Sequence, residues 1–81
     1  MYETGTSQSF EYWKGIAREV NNALHTDRHT PYNCAYIFDD LKKGGNVYNI
    51  ALGYNTSVHM VRLVATLCGL RLSRYQLSRV G

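Results

Sequence analysis

Proline appears once in 81 residues, at Pro31, so the chain lacks the bias of a disordered segment and should fold. Acid is missing from a whole stretch. Residues 46–81 carry Arg62, Arg71, Arg74 and Arg79 with no aspartate or glutamate, whereas residues 1–45 carry five basic and six acidic side chains. The +3 net charge therefore belongs to the second half. A one-signed half steers toward acidic partners, either a nucleic acid or an acidic protein face, although a merely solvated surface has the same composition. Long apolar runs are lacking too, and the longest are too short and too interrupted to cross a bilayer. MYETGTSQS has neither the basic start nor the apolar stretch of a secretory signal. The expectation is a soluble, cytoplasmic protein with no membrane partner. Cysteine is scarce, and Cys34 and Cys68 lie far apart in apolar segments, which reads as buried free thiols packing as small hydrophobes. Nothing secretory supports a disulfide between them.

Signatures of chemistry are also wanting. Lys43-Gly44-Gly45-Asn46 is too short for a phosphate-cradling loop. His25 and His29 are four apart with Cys34 five further on, but no fourth ligand is spaced to complete a metal set. Neither cysteine has a local activating neighbour, and apolar surroundings raise a thiol pKa rather than lower it. Asp39-Asp40 ahead of Lys42-Lys43 reads as a solvated turn. No enzymatic activity, cofactor or metal is expected.

What the chain does have is one domain's length, seven tyrosines and one very apolar stretch, Ser57–Gly69. Read as a helix, that stretch spreads Val58, Met60, Val61, Leu63, Val64, Ala65, Leu67 and Cys68 over almost its whole circumference and leaves only His59, Arg62 and Thr66 as a narrow polar stripe. It is then either the buried core element or half-buried with a partner over the rest. Asn55-Thr56-Ser57 offers N-caps, Gly69 a left-handed stop, and Leu70 can fold back on the last turn.

The rest is arranged around it. Residues 1–7 read as a polar lead-in, extended near Tyr2. From Ser9 to about His25 the helical period is clear, with Phe10, Trp13, Ile16, Ala17, Val20, Ala23 and Leu24 on one stripe. Ser7 or Ser9 caps it, Glu11 suits the helix dipole, and Gly15 would mark a close approach by another element. Tyr32–Gly45 is open. As a strand it puts Tyr32, Cys34, Tyr36 and Phe38 on one face before a turn-rich loop. As a helix it has Thr30 as N-cap, Pro31 in the first turn, a stripe of Cys34, Ile37, Phe38 and Leu41, and Gly44 as the stop. Asn46–Asn55 alternates, with Tyr48, Ile50, Leu52 and Tyr54 on one side, as a strand does. Leu70 and Leu72 would start a strand that closes the sheet. The expected fold is a small α+β domain in the order α-β-β-α-β; the rival is an all-α bundle with a helix-turn-helix-like pair.

Ile50-Ala51, Asn55, Val61 and Val64 carry that rival. Over about 20 residues their spacing resembles the helix-turn-helix family of DNA-binding elements. The resemblance implies Asn55 at the left-handed turn and Ser57, Val58, His59, Arg62, Leu63 and Thr66 facing outward. Asparagine replaces the usual turn glycine, Gly53 falls inside the first helix, and Val58 and Leu63 would face polar base edges. An RNA-recognition arrangement fails at its diagnostic positions, because Gly45 and Val47 stand where stacking aromatics are needed.

The leading functional expectation is non-enzymatic binding to a protein. An apolar central helix in a small chain, many tyrosines and a basic C-terminal third suit a partner surface or a second copy, hence a homodimer. Small chains of this kind include inhibitors encoded by phages and mobile elements, of the anti-CRISPR type, that occupy nucleic-acid-handling complexes. The alternative is a small DNA- or RNA-binding protein using the basic half. Arg62, Arg71, Arg74, Tyr75 and Arg79 are the expected contact residues, with His59 next.

Overall fold

The computed structural model describes residues 9–79, and every regular element among them is a helix. The order is α1 (Phe10–Leu24), α2 (Pro31–Lys42), α3 (Val47–Gly53), α4 (Val58–Leu67) and α5 (Arg74–Leu77). The α+β expectation is overturned at all three proposed strands. The lead-in with Tyr2 and the alternative cap Ser7 lie outside the described residues.

Each helix begins on a side chain that accepts a hydrogen bond from the first turn: Ser9, Thr30, Asn46, Ser57 and Ser73. These small polar residues satisfy amides that a helix start leaves unbonded. Pro31 occupies the first turn of α2, where its missing N–H costs nothing. The first four helices also end alike. His25, Gly44, Asn55 and Gly69 take left-handed φ of 55°, 94°, 55° and 72°. Behind them the amides of Thr26, Gly45, Thr56 and Leu70 donate to the carbonyls of Asn21, Asp40, Ala51 and Ala65. That long return bond of the Schellman motif reverses the chain after each helix. Gly45 has a packing reason as well, since a Cβ there would lie 2.9 Å from Ile50 Cδ1 and 3.0 Å from the Asp40 carbonyl.

The helix reading of residues 31–45 holds, with Cys34, Ala35, Ile37 and Leu41 buried. The strand reading of Asn46–Asn55 fails because burial follows the other period in the same residues. Val47, Ile50 and Ala51 are buried, while Leu52, which a strand would place beside Ile50, is 82% exposed. Residues 71–73 form no regular element and lead into α5, so Leu70 and Leu72 start no strand.

Helix α4 packs on α1, α2 and α3 and is the centre of the molecule. Its Met60, Val61, Val64 and Ala65 meet Trp13, Val20, Cys34, Ile37, Leu41 and Val47 in one core. Trp13 anchors the α1–α2 side, with Phe38 at 5.4 Å and Tyr12 edge-on at 5.1 Å between ring centroids. Gly15 does not admit a neighbour: a Cβ placed there meets nothing within 4 Å. Cys34 and Cys68 are free thiols, the first buried and the second half-buried.

Candidate nucleic-acid interface

The pair α3–α4 is joined by Tyr54, Asn55, Thr56 and Ser57, and Asn55 makes the left-handed turn. Ile50, Ala51, Val61 and Val64 are all buried where the two helices meet the core. A small residue at Ala51 lets the following turn close, and its carbonyl receives the Thr56 amide at 2.9 Å. Gly53 ends α3 exposed, with open space where a Cβ would be, so it disturbs no contact.

Neighbouring groups brace the turn. Arg28 Nη2 donates to the Asn55 carbonyl at 3.2 Å, tying the α1–α2 connection to it. That connection is itself clamped: Asn21 Nδ2 donates to the His29 carbonyl at 3.0 Å, and the His29 amide donates to Asn21 Oδ1 at 3.1 Å. Burial, and then the Arg28 charge, holds the His29 imidazole below its ordinary pKa. Tyr54 donates through its hydroxyl to Asp40 Oδ2 at 3.2 Å, and burial with that carboxylate pushes its pKa up to about 12.

The outward face of α4 is His59, Arg62 and Thr66, all exposed. Thr66 Oγ1 donates to the Arg62 carbonyl at 3.0 Å, leaving its own lone pairs outward. Val58 and Leu63 are half-buried and pack on the core instead of standing free on this face. The exposed stripe is therefore polar.

The other expected contact residues form a second group. Arg71 lies in the connection ahead of α5, Arg74 and Tyr75 on α5, and Arg79 just beyond it, all exposed. Helix α5 packs on α3, and the Arg79 guanidinium lies 5.2 Å from the Tyr48 ring in the first turn of α3. Two buried amides set this placement. Asn46 Nδ2 donates to the carbonyls of Tyr75 and Ser78 at 2.8 and 2.7 Å. Gln76 Nε2 donates to those of Leu41 and Gly45 at 2.8 and 3.1 Å.

The chain matches no family model, no curated protein and no solved structure. Among the described residues no three His, Cys, Asp or Glu side chains gather as a metal site. Burial pushes the Cys34 thiol up to about 12, so at neutral pH it keeps its proton. No helix among those residues is long and apolar enough to cross a membrane.

Reading the sequence alone missed Arg28, Tyr48, Asn46 and Gln76. Ser73 and Gln76 have capping-box spacing, a legible signal, and the box forms with both bonds. Asn46 follows two glycines, as a cap after a turn does. Nothing local announces Arg28, whose partner is 27 residues away.

Proposed function

We propose that this chain binds double-stranded DNA, with α4 laid in the major groove and α3 crossing above it. The observation that carries the reading is the α3–turn–α4 unit. A left-handed Asn55 joins two helices packed through Ile50, Ala51, Val61 and Val64, and the free face of the second helix bears His59, Arg62 and Thr66. A helix about 10–12 Å across matches a groove about 12 Å wide. Arg62 suits the paired acceptors of guanine, and His59 offers a ring N–H to a neighbouring acceptor or phosphate. Thr66, its proton bonded to the Arg62 carbonyl, offers an acceptor to a base amino group. Free cations supply the rest of the affinity: among the described residues none of Arg62, Arg71, Arg74 and Arg79 is paired with a carboxylate. The test is selection of preferred sequences from a random duplex pool, followed by anisotropy titration across a salt series. Sequence preference with a log affinity that falls linearly in log salt supports the reading; absence of duplex binding at low salt overturns it.

A second reading is a protein-binding inhibitor of a nucleic-acid-handling complex. Its support is exposed apolar surface on α3 and on α5, with Leu52 82% and Tyr75 56% exposed. It predicts no duplex affinity and a stoichiometric complex with an acidic protein face. Self-association through these residues is read from the mass in solution across a concentration series.

A further inference from the structure

We propose that α5 and its flanks form a second contact with the same duplex, a phosphate-binding edge in which Arg71, Arg74 and Arg79 lie on the sugar-phosphate backbone while α4 lies in the groove. The inference rests on the DNA-binding reading and adds a part to it.

A helix of four residues has no stability of its own. This one is held by side-chain donors buried to 2% and 6% exposure, Asn46 and Gln76, which make four bonds to main-chain carbonyls. Buried amides are costly unless every donor is met, and here all are spent on fixing one short segment. What the segment displays is cationic: Arg71, Arg74 and Arg79 are exposed and among the described residues have no carboxylate partner, in a half-chain that contains no acid.

The place of attachment selects the partner. Asn46 caps α3, and Tyr48, under the Arg79 guanidinium, lies in its first turn, so the lock joins α5 to the entering end of α3. In helix-turn-helix docking the first helix crosses the DNA backbone. An arginine edge fixed to its entering end meets phosphates rather than base edges. Such contacts set register and add affinity without reading sequence. Cations carried on a backbone already fixed also lose less freedom on binding than those on a loose tail.

The experiment titrates the full-length protein and its Arg71→Ala/Arg74→Ala/Arg79→Ala variant against two fluorescein-labelled duplexes of one length, a selected sequence and a random one, over a salt series. Thermal melting checks that the variant folds, as exposed arginines should allow. The expected result is a log–log salt slope shallower by about 2–3. Affinity should fall by the same factor on both duplexes, so the selected-to-random ratio is unchanged. A folded variant with wild-type affinity and slope overturns the inference while leaving the DNA reading intact, and the arginine edge then belongs to an acidic protein. A wild-type chain that binds neither duplex at low salt overturns the DNA reading itself, a distinct outcome.

Discussion

The side-chain amide of Asn46 donates to the main-chain carbonyl of Tyr75 at 2.8 Å across 29 positions of sequence. Its oxygen meanwhile accepts from the amides of Tyr48 and Asn49 at 2.8 and 3.3 Å. One buried asparagine thus starts α3 and docks α5.

Replacing it separates the two jobs. Asn46→Ala loses cap and anchor together and should cost about 2–3 kcal/mol. Asn46→Asp keeps the acceptor for the cap but turns a carboxylate toward the Tyr75 and Ser78 carbonyls, so α5 should detach while α3 persists. Urea denaturation reads the first effect. Amide hydrogen exchange at residues 74–78 reads the second.

Glycines at two positions should respond with opposite sign. Gly15→Ala fills open space on α1 and should stabilise by about 0.5–1 kcal/mol. Gly45→Ala drives a Cβ into Ile50 and the Asp40 carbonyl and should destabilise. Midpoints of chemical denaturation for the two variants decide it.

Acid should weaken the fold through His29. Its folded pKa lies below the ordinary 6.5, so between those two values the unfolded chain binds the proton and the folded chain does not. Stability is therefore full above the ordinary value and falls as pH drops through it, levelling off below the folded pKa. His29→Gln keeps the main-chain clamp to Asn21 and should flatten this part of the pH–stability curve.

Alkali acts in the opposite window. The Tyr12 hydroxyl, bonded to Cys68 and partly desolvated, is pushed up to about 12, as are Tyr54 and the buried Cys34 thiol. Each loses its proton first in the unfolded chain, so stability should decline as pH rises above 9 for the thiol and 10 for the phenols. Native Cys34 should also resist alkylation at mildly alkaline pH and react promptly in urea. Mass spectrometry of timed iodoacetamide quenches measures this.

On the α4 face, Arg62→Ala should cost about 1–3 kcal/mol on a selected duplex and little on a random one. The melting temperature should hardly move, because Arg62 is exposed and among the described residues is in no ion pair. Equal losses on both duplexes would make Arg62 a phosphate contact and leave base reading to His59 and Thr66.

Local chemistry in the sequence already determined much of this. Ser9, Thr30 and Ser57 are caps whose side chains need only their own first turns, and Gly69 stops α4 by its freedom at positive φ, so α1 and α4 were legible with their polar and apolar faces. The charge division was also plain, and with it the candidate stripe His59 and Arg62. The class of the middle was not. Val47–Tyr54 carries two periods at once, apolar at 47, 50, 51 and 54 and again at 48, 50, 52 and 54, and over eight residues neither outweighs the other. Only the arrival of α4 against Val47, Ile50 and Ala51 chose the helix, by burying one set and leaving Leu52 in water. Tertiary structure likewise decided where the distal arginines go. Four residues of α5 have no preferred place until Asn46 and Gln76, distant in sequence, find the carbonyls that hold them. Caps and stripes act over one or two turns, whereas placement depends on partners that only the folded chain brings within reach.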